Sequence, residues 1–260
     1  MITEEDIKEG LATKFLGHKV YCFEEVSSTN DFALRLARDG APEGTLVLAR
    51  SQSGGRGRLG REWCSPPGGL WASVILRPII TPAQAPQLTL LTGTAVARTI
   101  NCITGLDALI KWPNDILVNG KKVGGILTEM ATSPDGINYV VVGIGVNLDV
   151  DLNEFPWAFR DATASLNKEA GHQVSMVGFL HQMLKEIEAL YLVLKEKGFE
   201  PILDEWRRLS ATLGRRVKAL GQDRIVKGQA VDVDSAGALI IRTGEGKIER
   251  VLAGDVTILR

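Results

Sequence analysis

Ser51-Gln52-Ser53-Gly54-Gly55-Arg56-Gly57-Arg58-Leu59-Gly60-Arg61-Glu62-Trp63-Cys64-Ser65-Pro66-Pro67-Gly68-Gly69 is the stretch on which the fold class turns. Gly55, Gly57 and Gly60 match G-x-G-x-x-G letter for letter. The dinucleotide fingerprint, however, needs a helix that opens at the glycines so that its N-terminus meets a pyrophosphate. Here Ser65-Pro66-Pro67-Gly68-Gly69 follows, which cannot be helical, so context excludes the doubly wound fold. No G-x-x-x-x-G-K-[ST] and no G-x-S-x-G occurs, which removes the P-loop and the serine-hydrolase elbow. What remains is a loop whose glycines let backbone N–H groups close on an anion. Arg56, Arg58 and Arg61 add guanidinium forks for phosphate or carboxylate. An exposed basic loop is the plain alternative.

The segments around the loop mix helices with hairpin strands. Thr45 to Ala49 and Trp71 to Leu76 are short apolar runs of the kind that form buried strands. Ser28, Thr29 and Asn30 precede Phe32, Ala33, Leu36 and Ala37 at helical spacing, with Ser28 or Thr29 as N-cap. Pro82 to Thr104 reads as a helix burying Leu88, Leu91, Ala95 and Ile100, and Leu109 to Trp112 as a strand ending at Pro113. Asn119-Gly120 predicts a tight hairpin turn, because both residues tolerate positive φ. Asp135-Gly136 predicts another, with Tyr139 to Val146 as its second strand. Ser175 caps a long amphipathic helix carrying Phe179, Leu180, Met183, Leu184, Ile187, Leu190, Tyr191 and Leu194 on one face, a core stripe. After Leu213 the texture changes to short β-like runs split by Gly221, Gly237 and Gly244-Glu245-Gly246, which suggests an appended small barrel or sandwich.

Composition sets the outer bounds. A chain of 260 residues, 45% hydrophobic and 23% charged, suits one large globular domain or two smaller ones and excludes disorder and collagen-like repeats. Thirty Lys and Arg against 31 Asp and Glu give a net charge of -1, so there is no global pull toward nucleic acid or anionic membrane. Yet between Glu43 and Asp107 six arginines face only Glu62, a local concentration of positive charge. Cys22, Cys64 and Cys102 show no C-x-x-C spacing and read as reduced thiols, and His18, His172 and His181 as surface or helix histidines, not metal ligands. No apolar run reaches membrane-spanning length, and the acidic start Met1-Ile2-Thr3-Glu4-Glu5-Asp6 is unlike a signal peptide, so a cytoplasmic location is expected.

Further candidates lie outside the loop. Trp63 could stack on a flat heterocycle such as adenine or cap the core. Lys111-Trp112-Pro113-Asn114-Asp115 sets a lysine at a strand end, where it can neutralise charge developing on a phosphate or carboxylate; an ordinary surface lysine is the alternative. Gly124-Gly125 and Gly143-Ile144-Gly145-Val146-Asn147 put glycines where β-branched residues pack better. That points to a close approach by another group, or to a bulge.

Together these segments resemble the biotin protein ligase family. The resemblance rests on Ser28-Thr29-Asn30, Gly55-Arg56-Gly57-Arg58-Leu59-Gly60-Arg61 with Trp63 and Ser65-Pro66-Pro67-Gly68-Gly69, Lys111-Trp112-Pro113-Asn114-Asp115, Gly124-Gly125-Ile126-Leu127 and Gly143-Ile144-Gly145-Val146-Asn147. Order and spacing agree from residue 28 to 147 and continue more weakly to the C-terminus. The resemblance implies an α+β fold: a mixed, largely antiparallel sheet flanked by helices, like class II synthetases, over residues 1–212, and an SH3-like barrel over 213–260.

It also implies two-step chemistry. Biotin's carboxylate would attack the α-phosphate of ATP to give biotinyl-AMP and pyrophosphate, and a lysine of a biotin carboxyl carrier protein, of acetyl-CoA carboxylase or a related carboxylase, would then attack the mixed anhydride. Arg58 and Lys111 would be the catalytic cations. Biotin would contact Ser28, Thr29, Asn30, Gln52, Gly55, Arg56, Gly57, Arg58, Lys111, Gly125, Gly143 and Gly145, while Arg58, Arg61, Trp63, Lys111 and Asn147 would hold ATP and the adenylate. Mg²⁺ is expected to come with the ATP phosphates, with its protein ligands unassigned. The arginine loop is expected to repel itself, to be mobile and to order on binding. Only 27 residues precede Ser28, too few for the DNA-binding helix-turn-helix domain of some members, so a monofunctional type without DNA as partner is expected, and an edge-to-edge homodimer fits the resemblance. A lipoate ligase, which shares the fold, and a non-catalytic anion-binding module are the rival readings.

Overall fold

The computed structural model describes residues 2–134, 136–221 and 224–259. Helix α1 (Glu4–Lys8) and strand β1 (Val20–Val26) precede α2 (Thr29–Arg38), β2 (Leu46–Gln52) and β3 (Leu70–Leu76). Helix α3 (Pro86–Thr104) leads into β4 (Ala108–Lys111), β5 (Asp115–Val118), β6 (Lys121–Ser133) and β7 (Gly136–Val146). Short helices α4 (Trp157–Arg160) and α5 (Leu166–Ala170) follow, then α6 (Met176–Lys197) and α7 (Glu200–Arg208). The chain closes with β8 (Arg216–Leu220), β9 (Ile225–Val233), β10 (Leu239–Thr243), β11 (Ile248–Val251) and β12 (Asp255–Ile258).

Seven strands form one mixed sheet in the order β1-β2-β3-β7-β6-β5-β4, antiparallel except for the β1–β2 pair. Alternate residues serve two cores. Val47, Ile75 and Val141 pack under Ala33 and Ala37 of α2, whereas Leu46, Leu48, Val74, Leu76, Val140 and Val142 face α3 and α6. Every residue of β3 is buried, which is why its sequence is a continuous apolar run without alternation. The expected α+β architecture is the one observed.

The helices begin where the sequence signals them. Ser28 Oγ accepts from the Asp31 N–H and caps α2, and Ser175 does the same for α6 through the Gly178 N–H. Asn119 and Gly120 adopt φ of 51° and 76°, the geometry expected of the tight turn joining β5 to β6. The single helix expected over 82–104 is instead a short 3₁₀ turn, Pro82–Gln84, followed by α3, because a second proline, Pro86, fits only a first helical turn. Helices α1 and α7 and strand β1 escaped the periodicity reading; β1 is a half-exposed edge strand without clean alternation. Asp135 of the Asp135-Gly136 turn lies outside the described residues.

The last five strands form a separate antiparallel sheet, β11-β10-β9-β8-β12, of SH3-like type. Buried tryptophan ties it to the main sheet: Trp112, at a cis Trp112–Pro113 bond, donates its indole N–H to Gly237 O at 3.0 Å and its backbone N–H to Thr212 Oγ1 at 2.9 Å. Arg207 of α7 adds bonds to Asp232 and to Val233 O of β9. The outer edge of β4 is covered by residues 209–211, with Ile110 N–H donating to Leu209 O and Ala211 N–H to Ile110 O. The cysteines are free, and His18 and His181 bond the carbonyls of Thr13 and Ile7. Among the described residues no helix is long and apolar enough to cross a membrane.

Glu43 links the ends of β3 and α6. Its carboxylate accepts from Tyr191 Oη at 2.6 Å, Arg77 N–H at 2.8 Å and Lys195 Nζ at 3.1 Å. Burial raises its pKa, but those donors outweigh burial and hold it below the ordinary value of 4.5. Because the folded pKa is the lower one, this stabilisation is complete above the unfolded pKa and is lost as pH falls through the folded value. Glu43→Gln is therefore expected to destabilise the fold by about 1–3 kcal/mol at neutral pH and to differ progressively less from the wild type below the ordinary carboxylate pKa. Urea unfolding at several pH values reads this, and a pH-independent difference would refute it.

Candidate active site

One cavity of about 340 Å³ opens between the main sheet, the arginine loop and the C-terminal sheet. Its first wall is the start of α2. Thr29 N–H and Oγ1 both meet Gln52 Oε1, at 2.8 and 3.1 Å, and Gln52 Nε2 donates onward to Ser65 Oγ at 2.8 Å. Ser73 Oγ, buried beneath, lies 2.8 Å from Thr29 Oγ1 and 2.6 Å from Asn30 Oδ1. Asn30 Nδ2 donates to Glu129 Oε2 at 2.9 Å. This end of the cavity is thus polar and lined by pre-bonded side chains whose positions are set by neighbours, a rigid surface for a neutral polar ligand group.

The floor is the β6–β7 ladder, where Gly125 stands directly across from Gly145. Trp63 lies against this pair: a Cβ on Gly145 would come within 2.7 Å of the indole Nε1, and one on Gly125 within 3.1 Å of the ring. A Cβ on Gly143 would fall 2.2 Å from Asn30 Oδ1. The glycines inside these strands therefore mark close approach, as the sequence suggested, and the approaching groups are side chains of this chain. Trp63 Nε1 is buried without a hydrogen-bond partner among the described residues, and the Lys122 ammonium sits 4.8 Å from the ring centroid.

The middle of the cavity holds its charges. Lys111, the last residue of β4, pairs with Asp115 at 3.0 Å, and Lys122 pairs with the other oxygen of the same carboxylate at 2.5 Å. Burial works to raise the Asp115 pKa, yet Lys122 and Lys111 together bring it below the ordinary value, so the site carries one carboxylate and two ammonium groups. Arg58 reaches Asn114 Oδ1 at 3.3 Å and Gly254 O at 3.1 Å. Burial shifts its guanidinium pKa downward and Arg61 adds to that, with Asp255 and Asp115 opposing.

Ion pairs offset the repulsion expected within the loop. Arg56 bridges Asp31 at 2.6 Å and Glu129 at 2.7 Å, and Arg61 pairs with Asp255 of β12. The excess positive charge of this region is similarly met elsewhere, by Glu24 for Arg50 and by Glu186 and Glu205 for Arg98. Loop and C-terminal sheet are thereby joined over the cavity.

Ser28, Thr29, Asn30, Gln52, Arg56, Gly57, Arg58, Arg61, Trp63, Lys111, Gly125, Gly143 and Gly145 all reach the cavity wall. Two candidates do not. Gly55 is packed under Trp63 O and Ser65 Oγ, and Asn147 is buried at 1% exposure, donating to Ala164 O at 3.3 Å while its Oδ1 has no partner among the described residues. Sequence reading missed Asp115 and Lys122 as a functional pair, Glu129 as the acceptor of Arg56, and Asp255 with Leu220 and Thr257 as the contribution of the C-terminal sheet. Asp115 stood inside a quoted motif. The others carry no local signal, since a register shift between Ile116 and Leu117 and the docking of a separate sheet bring them in.

This fold and site define a ligase of the biotin and lipoate ligase class. Residues 22–147 match the Biotin/lipoate A/B protein ligase family and residues 212–259 the Biotin protein ligase C terminal domain. The bifunctional ligase/repressor BirA of Bacillus subtilis is 39% identical over 258 residues, covering 99% of this chain and 79% of that protein. The biotin--[acetyl-CoA-carboxylase] ligase of Paracoccus denitrificans is 38% identical over 226 residues, covering 85% and 92%. The biotin protein ligase of Aquifex aeolicus, solved in complex with biotin and ATP, superposes with a TM-score of 0.80 at 33% identity, covering 94% of this chain and 99% of that one. The chain belongs to the biotin protein ligase family.

Gly145→Ala tests the floor. The added methyl group collides with the indole, so Trp63 is expected to leave the sheet and its emission to shift to the red, with no such change when the substitution is made in a Trp63→Phe background. An emission spectrum that Gly145→Ala leaves unaltered would contradict the packing described.

Proposed function

We propose that the chain activates biotin as biotinyl-AMP at the expense of ATP and transfers the biotinyl group to a lysine of a biotin carboxyl carrier protein or domain, of acetyl-CoA carboxylase or a related carboxylase. The observation that carries this reading is the convergence of Lys111, Lys122, Arg58 and Asp115 on one cavity whose other end is the uncharged network of Thr29 and Gln52. A neutral ureido ring suits the Thr29, Ser28 and Gln52 end, where the second Gln52 Nε2 hydrogen has no partner among the described residues beside the bond to Ser65. The acid's carboxylate then extends along Gly143 and Gly145 toward the cations, with Asn30 and Arg56 alongside.

In the first step a carboxylate oxygen attacks the α-phosphorus and pyrophosphate leaves. Two anions must approach one another, so cations fixed in advance lower the barrier. Lys111 is the group assigned to the carboxylate and α-phosphate, and Arg58 and Arg61 to the adenylate. Asp115 holds both lysines in place between turnovers. Adenine stacking on Trp63 requires the Lys122 ammonium to swing off the ring toward phosphate. A role for Asn147 near the adenylate is supported by its unpaired Oδ1 and requires local opening, because the side chain is off the cavity wall. In the second step the acceptor amine attacks the carbonyl carbon of the mixed anhydride, the bond to the phosphate oxygen breaks, AMP departs, and the amine loses its proton. The arginine loop excludes water meanwhile, which protects the anhydride.

Magnesium belongs to this reading as a companion of ATP. Among the described residues no three His, Cys, Asp or Glu side chains form a set that could hold a metal, and Asp115 is already engaged by two lysines. The residues do not fit a protein-built cage. A division of labour at residues 212/213 is part of the same proposal, with Asp255 contributed by the C-terminal portion.

Biotin-dependent exchange of pyrophosphate into ATP tests the first step. The wild type is expected to exchange with biotin and not with lipoate, and Lys111→Ala to lower the rate by roughly 10²–10³-fold. Exchange with lipoate alone would favour a lipoate ligase, and exchange with neither acid an anion-binding module. Biotin plus ATP is also expected to slow tryptic cleavage at Arg56, Arg58 and Arg61, as the loop closes; unchanged cleavage would count against its role as a lid.

A further inference from the structure

Lys122 stands where strict alternation along a strand would not put it. In the β5–β6 pairing Ile116 lies across from Gly124 and Leu117 from Lys122, so Val123 is an extra residue, a bulge in β6. Residues 122 and 125 are an odd number of positions apart and would point to opposite faces of a regular strand. Here they share one face: a Cβ on Gly125 would meet the Trp63 ring at 3.1 Å and Lys122 Cε at 3.5 Å. A third segment clamps the backbone at this point, with Lys122 N–H donating to Ala162 O at 2.8 Å and Lys122 O accepting from Ala164 N–H at 2.9 Å. The bulge therefore aims a lysine over the indole and leaves its side chain as the part that can move.

The fold does not demand this cation. Lys111 by itself would balance the charge of Asp115, and Lys122 brings a second ammonium to the other carboxylate oxygen, in a cavity that Arg58 and Arg61 already line. The same ammonium lies 4.8 Å from the centroid of the Trp63 ring. It thus covers the flat surface on which adenine is proposed to stack. A neutral nucleoside arriving there has to displace the ammonium from the ring and presents no anion to receive it. A nucleotide brings its own acceptor, because phosphate oxygens bond an ammonium more strongly than neutral acceptors do.

We infer that Lys122 is a specificity-determining residue: its side chain closes the indole face of Trp63 to neutral purine nucleosides and opens it to nucleotides by moving onto the α-phosphate. The inference rests on the ligase reading, in which Trp63 carries adenine and Lys111 the α-phosphate. Because Lys111 and Lys122 share the Asp115 carboxylate, a phosphate held by Lys111 is within reach of Lys122 as it turns about its own stem. Stacking and phosphate recognition are thereby coupled through one flexible side chain.

Calorimetric titration of the full chain, saturated with biotin, with AMP or adenosine as probe tests this, since neither probe can be converted to the adenylate. Lys122→Ala should bind adenosine about threefold more tightly and AMP about tenfold more weakly. In ATP–pyrophosphate exchange by the same variant, KM for ATP should rise about tenfold while KM for biotin stays within about twofold. Lys122→Arg, which keeps a cation on the bulge, should return AMP affinity to within about threefold of the wild type. Opposite shifts for two ligands that differ only in a phosphate separate this role from a structural one, because general loosening of the site weakens both. Adenosine affinity unchanged or lowered by Lys122→Ala overturns the inference, and so does an unchanged affinity for AMP. Absence of biotin-dependent exchange in the wild type would instead remove the ligase reading and this inference with it.

Discussion

A carboxylate buried between two ammonium groups organises the cavity. Asp115 alone would be a poor residue to bury, since desolvation penalises its charge, and Lys111 and Lys122 would repel one another without it. Together they make a compact net-positive group whose geometry is fixed by two backbone constraints: the β4–β5 pairing that puts Lys111 opposite Asp115, and the register shift in β5–β6 that brings Lys122 back to the same carboxylate. An anionic substrate entering such a site meets charge that is already oriented, which is the condition under which electrostatic stabilisation is effective.

The surrounding parts keep that group accessible. Bare backbone at Gly125 and Gly145 leaves room for Trp63, and bare backbone at Gly143 leaves room for Asn30, so two side chains sit closer to the sheet than any residue with a Cβ would allow. Arg56 and Arg61 tie the loop to Asp31 and Glu129 on one side and to Asp255 on the other. These pairs are partly exposed and each contributes modestly, but they span three separate elements, so their joint effect is to set where the loop lies. The C-terminal sheet, held by Trp112 and Arg207, completes the cavity.

Much of the fold was legible because its signals are local. The caps at Ser28 and Ser175, the Asn119-Gly120 turn and the apolar runs of β2, β3 and β7 depend on neighbours within a few residues, and they lie where the sequence placed them. The elements that escaped, β1 and α7 among them, are stabilised by partners far along the chain: β1 by a parallel pairing to β2, and α7 by Arg207 contacts to β9. The motif residues of the site were legible for a different reason. Glycines inside strands and arginines in a glycine-rich loop conflict with local propensity, and such conflict marks a functional constraint.

The sequence by itself determined the capped helices, the tight turn and the buried apolar strands, the absence of a dinucleotide fold and the identity of the arginine loop, the Lys111 segment and the glycine pairs, because each is written in adjacent residues. Tertiary structure alone decided which charges meet. Asp115 reaches Lys122 through a register shift, and Arg61 finds Asp255 across 194 positions. Coulombic interactions fall with distance in space and not with separation along the chain, so the neutralised loop could not be read until the strands were in register.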